Sequence, residues 1–184
     1  IGWRNWGAED ARYARLRQHI ESQGKSFAVH TLVHIYWLQG AFMWLVSLVL
    51  TFSMTMTTPP TLGALAYVGT TLWGIGMIFE TIGDWQLANF LGNSDNAGKV
   101  MDKGLWRYTR HPNYFGETCV WLGFFLIALD NIWGAVTVVS LATICYALLG
   151  PSGKELVERR MSKKRPGFDA YKKRTSAFIP LPPR

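Results

Sequence analysis

An all-α fold, a polytopic bundle of helices embedded in a membrane, is what these 184 residues predict, and three observations predict it. The composition is 49% hydrophobic and 14% aromatic but only 17% charged, too apolar for a solvated domain. Apolar stretches approach the 20 or so helical residues that a hydrocarbon core of roughly 30 Å requires. All 19 Lys and Arg residues also fall on one face of a four-span reading. Five precede the first span, four lie in the connection after the second, and ten lie in the tail. The turns at Pro59-Pro60 and Asp130-Asn131 carry none.

The same figures exclude several classes. A formal charge of +7 in this apolar context argues against disorder and against a soluble nucleic-acid binder. Cys119 and Cys145 both sit inside apolar stretches, so a disulfide framework is excluded. The chain opens on Ile1 and turns polar at once, showing neither an initiator Met nor a signal peptide, and the expectation is that upstream helices are missing.

Taken in order, residues 1–28 form a cytoplasmic segment, 29–150 hold four spans, and 151–184 form a cytoplasmic tail. Within the first segment, the polar run from Glu9 to Gly24 predicts a short surface helix. The first span runs from Ile35 to Thr57 and is closed by Thr58-Pro59-Pro60-Thr61, which reads as a tight turn. A second runs from Leu62 to Phe79, after which Glu80 and Asp84 continue the helical pattern. The third is short unless it starts at Pro112, a residue suited to the first helical position. The fourth runs from Ile132 to Gly150 and stops at Pro151-Ser152-Gly153. Residues 93–98 read as a loop. Trp3, Trp6, Trp85 and Trp106 fall near interfaces and are expected to serve as an aromatic belt.

Ionisable groups within a span cost several kcal/mol and usually face a cavity or a partner. Glu117 lies about one and a half turns into a helix that starts at Pro112, with Asn113 one turn back on the same face. A carboxylate beside a carboxamide can hold a planar amide or a ribose, or it can clamp two helices together. Glu80 and Asp84 repel each other at a spacing of four residues, so something must compensate. Arg107, Arg110 and His111 are candidates, as is a ligand that brings donors. The run from Gly104 to Glu117 gathers two guanidiniums, an imidazole and four aromatic side chains at a helix N-terminus, a setting that suits phosphate. The tail either folds back over this mouth or stays solvated. His30 and His34 have a metal-binding spacing but no third ligand nearby, and no metal site is expected.

Residues 104–117, Gly-Leu-Trp-Arg-Tyr-Thr-Arg-His-Pro-Asn-Tyr-Phe-Gly-Glu, strongly resemble the C-terminal region of the steroid 5-alpha-reductase family, particularly its bacterial members. The likeness extends to Arg4-Asn5, Glu9-Asp10, Arg12-Tyr13, Glu80 through Asp84, Glu158-Arg159, Tyr171, Arg174 and Phe178 to Pro180. A shorter core, Arg-His-Pro-x-Tyr followed by Gly-Glu, is shared with isoprenylcysteine carboxyl methyltransferases, phospholipid methyltransferases and sterol carbon-14 reductases.

The resemblance implies a membrane enzyme of about seven helices that binds NADPH from its cytoplasmic side and reduces the Δ4 double bond of a 3-oxo-Δ4 steroid or a similar lipid enone. By match of motif, Asp84, Asn113 and Glu117 would lie along the nicotinamide and its ribose, with Glu80 and Tyr114 also among the cofactor-binding residues. Lys99, Arg107, Tyr108, Arg110 and His111 would serve the phosphates and adenine, with Arg4 and Asn5 entering from the N-terminal segment. Glu158, Tyr171 and Arg174 would help to close the site. The acid and tyrosine that polarise the substrate carbonyl in similar enzymes have no match here and are expected upstream of residue 1. A bacterial inner-membrane location is implied. The alternatives are a membrane methyltransferase using S-adenosylmethionine and a non-catalytic membrane subunit.

Overall fold

The computed structural model describes residues 11–55 and 61–184. Two compact units, residues 1–44 and 45–184, are described separately. The described residues form helices and turns, with one isolated parallel bridge between Thr109 and Ser176. The chain is thus an all-α protein of the polytopic membrane type.

In the first unit, helix α1 (Ala11–Ser22) occupies the stretch expected to form a surface helix, and α2 (Phe27–Thr31) follows with Ser26 as its N-cap. The Arg17 guanidinium lies over the Phe27 ring, 4.8 Å from its centroid. The helix continues through a π-helical segment, Leu32–Trp37, into α3 (Leu38–Thr55). The apolar helix therefore begins well before Ile35.

In the second unit, α4 (Ala64–Gly92) runs 29 residues and carries Glu80 and Asp84 inside the same helix as the apolar span. Helix α5 (Pro112–Ala128) starts at Pro112, whose missing N–H costs nothing there. A 3-10 segment at Ile132–Thr137 leads into α6 (Val138–Leu149), followed by α7 (Lys154–Lys164) and α8 (Phe168–Arg174). Three segments, Phe27–Thr55, Ala64–Gly92 and Ile132–Lys164, are long and apolar enough to cross a membrane. With 17 residues, or roughly 26 Å at 1.5 Å per residue, α5 is at the lower limit for a crossing.

The α4–α5 interface is built on glycine. Gly69, Gly76 and Gly83 recur every seven residues on α4, and Gly116 and Gly123 do so on α5. An added Cβ on Gly69 would lie 2.6 Å from the Gly123 carbonyl oxygen, and one on Gly76 would lie 2.5 Å from that of Gly116. Gly83 meets Pro112. Without side chains at these positions the two backbones approach closely, and packing contacts replace the hydrophobic driving force that lipid withholds. The seven-residue repeat keeps the small-residue seam facing the partner along both helices.

Ser140 provides a second link. Its hydroxyl donates to the Leu45 carbonyl at 2.8 Å and accepts from the Val49 N–H at 3.1 Å, which inserts α6 into the backbone ladder of α3.

Candidate functional site

The connection between α4 and α5 is fixed by α4 itself. The 3-10 turn Gly104–Arg107 docks through the Leu105 N–H to Gln86 Oε1 at 2.9 Å and the Trp106 indole N–H to the Gly83 carbonyl at 3.0 Å. Trp106 is therefore a docking side chain, whereas sequence pattern had suggested an interfacial belt. Trp85 remains exposed, while Trp3 and Trp6 lie outside the described residues, as do Arg4 and Asn5.

The tail folds back on this connection. The Thr109 hydroxyl donates to the Phe178 carbonyl at 2.7 Å, the Leu181 N–H to the Tyr108 carbonyl at 3.0 Å, and the Arg110 N–H to the Ser176 carbonyl at 3.0 Å. The Tyr171 hydroxyl donates to the Trp106 carbonyl, and Arg174 pairs with Asp102. Burial raises the Tyr171 phenol above its usual range, so it stays protonated and keeps donating. Phe115 of α5 packs edge-on between Phe79 of α4 and Phe178 of the tail, with centroid distances of 5.0 and 5.8 Å.

The centre of this fold-back is Glu158 on α7. Its carboxylate accepts from Arg110 Nε at 3.0 Å and Nη2 at 3.2 Å, and His111 Nε2 lies 2.9 Å away. Arg110 Nη1 also donates to the carbonyls of Lys172 (3.1 Å) and Thr175 (2.7 Å). Four of the five guanidinium N–H groups are thus committed to the tail. His111 is buried, and that burial holds its pKa below the usual imidazole value; nearby Arg110 and Lys154 act the same way, against the opposing pull of Glu158. A neutral ring donating to Glu158 follows.

These contacts correct one expectation. Arg110 and His111 do not compensate the Glu80–Asp84 pair, because both turn toward Glu158. Arg107 is exposed. Among the described residues, no ion pair is made by Glu80, Asp84 or Glu117. The three carboxylates stand within electrostatic reach of one another across the α4–α5 seam, with the Trp121 side chain as a hydrogen-bond partner for Glu117. Tyr114 lies within reach of Glu117 and Asp84.

Tyr114 also lines a cavity of about 340 Å³ together with Asn113, Arg110, His111, Trp106 and Tyr171. Its remaining wall is largely apolar, from Leu87, Leu91, Val100, Met101, Val157, Met161 and Phe168, with Arg165 as a further cation. The volume is at the small end of ligand pockets. Lys99 and Tyr108 are exposed and do not line it. Sequence reading missed Arg165 and Gln86, which no motif marks, and also the glycine seam, which the seven-residue spacing of Gly69, Gly76, Gly83, Gly116 and Gly123 does announce. His30 and His34 stack at 4.2 Å, and among the described residues no three metal-ligating side chains converge.

Fold and site together define a membrane helical protein with a small cavity at one end of its glycine-packed helix pair, closed by its own C-terminal tail. The family described as protein of unknown function (DUF1295) matches residues 1–175, and the chain belongs to that family. An uncharacterized protein from Schizosaccharomyces pombe is 25% identical, covering 97% of this chain and 57% of the relative. Human 3-oxo-5-alpha-steroid 4-dehydrogenase 1 is 31% identical over 114 residues, 62% of this chain and 40% of the enzyme. Nickel-cobalt-cadmium resistance protein NccN from Alcaligenes xylosoxydans xylosoxydans is 24% identical, covering 58% of this chain and 47% of that protein. The chain spans about half the length of the curated relatives it matches. No solved structure matches.

The donor set can be tested against a nicotinamide dinucleotide. Three carboxylates without a cation call for hydroxyl or amide donors, which a ribose and a carboxamide supply, and Asn113 and Tyr114 stand at the cavity edge to meet a planar amide. These donor and acceptor types suit that end of the cofactor; the three carboxylates do not themselves line the cavity, and Tyr114, which does, lies within electrostatic reach of Glu117 and Asp84. Arg110, engaged by Glu158 and two carbonyls, has one N–H left to offer a phosphate.

Proposed function

We propose that the chain is the cofactor-binding part of a membrane reductase that uses NADPH to saturate the Δ4 double bond of a 3-oxo-Δ4 steroid or a similar lipid enone. The observation that carries this reading is the set of three carboxylates, Glu80, Asp84 and Glu117, left without a cation among the described residues, two of them within electrostatic reach of Tyr114, which lines the cavity with Asn113. Likeness to the steroid dehydrogenases supports a lipid oxidoreductase in general, and the steroid substrate and NADPH are taken from the resemblance of residues 104–117 to the steroid 5-alpha-reductase family.

When bound, NADPH supplies a hydride. Asn113 offers a donor and an acceptor to a carboxamide, and Glu117 and Asp84 accept from hydroxyl groups. Tyr114 presents a ring face to a planar ligand. Glu158 and Arg110 hold the tail against the α4–α5 connection and so exclude water from the cavity. Arg107, Tyr108 and Lys99 are assigned to the phosphate and adenine end, and Tyr171 and Arg174 help to close the site. The site faces the cytoplasm in this reading, since the basic connections and the tail share that side.

The test is NADPH binding and NADPH oxidation by the purified protein in detergent, with and without a 3-oxo-Δ4 steroid. Glu117→Gln is expected to weaken NADPH binding roughly tenfold or more, the scale of a lost hydrogen bond to a charged group. Unchanged affinity in a folded variant would reject the role. Binding of S-adenosylhomocysteine with indifference to NADPH would instead establish a methyltransferase.

A further inference from the structure

A second cavity, of about 270 Å³, lies in the tail and is assigned to nothing so far. Its polar lining includes Arg110, Lys172, Lys173, Arg174, Ser176 and Arg184. Among these cations, three have carboxylate partners: Arg110 has Glu158, Lys172 has Asp169 at 2.8 Å, and Arg174 has Asp102. Among the described residues the side chains of Lys173 and Arg184 form no ion pair, although Lys173 lies within electrostatic reach of the Asp169 carboxylate that Lys172 holds. Five cationic side chains thus line the cavity against three carboxylates, which leaves its wall an excess of positive side-chain charge.

The backbone holds this wall in place. The Arg184 N–H donates to the Arg174 carbonyl at 2.9 Å, and the Ser176 carbonyl accepts from the Arg110 N–H at 3.0 Å. Ser176, which lines the same cavity, is thereby held in place by its backbone. Two cations and a hydroxyl converging on a cavity several times the ~30 Å³ of a water molecule are the groups that recognise a phosphate.

We propose that this tail cavity binds a phosphomonoester dianion through Lys173, Arg184 and Ser176, with Arg174 and Lys172 adding to the field. A soluble nucleotide phosphate and a lipid headgroup share that chemistry. The site shares only Arg110 with the apolar cavity at Asn113 and does not rest on the reductase reading.

The experiment is calorimetric titration of the full chain, in detergent and phosphate-free buffer, with inorganic phosphate, 2′-AMP and dioctanoyl phosphatidic acid. Dioctanoyl phosphatidylcholine is the control ligand. Wild type is expected to bind at least one monoester, and Lys173→Ala with Arg184→Ala to weaken that binding roughly tenfold or more. Both positions are exposed and make no side-chain hydrogen bond, so the variant keeps its fold. Lys163→Ala with Lys164→Ala, the same charge change on α7, is expected to bind as wild type does. Tighter binding of 2′-AMP assigns the site to a soluble nucleotide, and tighter binding of phosphatidic acid assigns it to a lipid. The proposal is overturned if no monoester binds, if phosphatidylcholine binds equally well, or if the tail variant matches wild type or loses no more than the α7 control. NADPH oxidation by the tail variant is scored separately, so failure here leaves the reductase reading standing.

Discussion

Removing Glu158 should release the tail. The carboxylate takes two charge-assisted bonds from Arg110, at 3.0 and 3.2 Å, and pairs with His111 at 2.9 Å. The Arg110 and Glu158 side chains are 11% and 17% exposed. Truncating one partner of a buried pair costs about 3–5 kcal/mol, because the other charge stays buried without compensation. Partial exposure here places Glu158→Ala at the low end, about 3 kcal/mol, and Glu158→Gln at about half that, since an amide oxygen still accepts one bond. A 3 kcal/mol loss raises the population of the detached tail roughly 100-fold. Hydrogen exchange of the amides of Arg110 and Leu181, both bonded across the fold-back, reads that population directly. Expected is a graded loss of protection, with Ala above Gln above wild type, while α4 amides far from the tail stay unchanged. Equal protection in wild type and Glu158→Ala would refute the idea that this carboxylate latches the tail.

Two further outcomes follow from the same geometry. Gly76→Val puts a branched side chain where a single Cβ would already lie 2.5 Å from the Gly116 carbonyl oxygen; overpacking of about 1–3 kcal/mol or more should lower the thermal midpoint in detergent, while Gly74→Val, facing open space, should not. For His111 the sign is set by a folded pKa below the unfolded value of about 6.5: the unfolded chain takes up a proton first, so stability is full above pH 6.5 and falls as the pH drops below it. His111→Gln should flatten that loss in thermal melts between pH 7.5 and 5.5, and an unchanged slope would assign the titration to another group.

The membrane bundle was legible because its cause is local and compositional. Uncharged runs long enough to span lipid and a proline able to open α5 need no knowledge of neighbours. Candidate site residues were legible for a similar reason, since Glu80, Asp84 and Glu117 are costly in a span wherever they point. Partner choice was not legible. Arg110 and His111 lie close in sequence to the α4–α5 acids, yet both engage Glu158, 48 and 47 residues away. Which cations of the basic tail are paired, and where an excess of positive charge remains around Lys173 and Arg184, depends on where Asp102, Glu158 and Asp169 come to rest.

Sequence alone therefore determined the solvent this protein lives in and which side chains are too expensive to be idle, because transfer into lipid is charged residue by residue. Only the tertiary structure decided which carboxylate meets which cation, because several partners of equal chemistry were on offer and backbone geometry, down to a seam of glycines that lets two helices touch, selected among them.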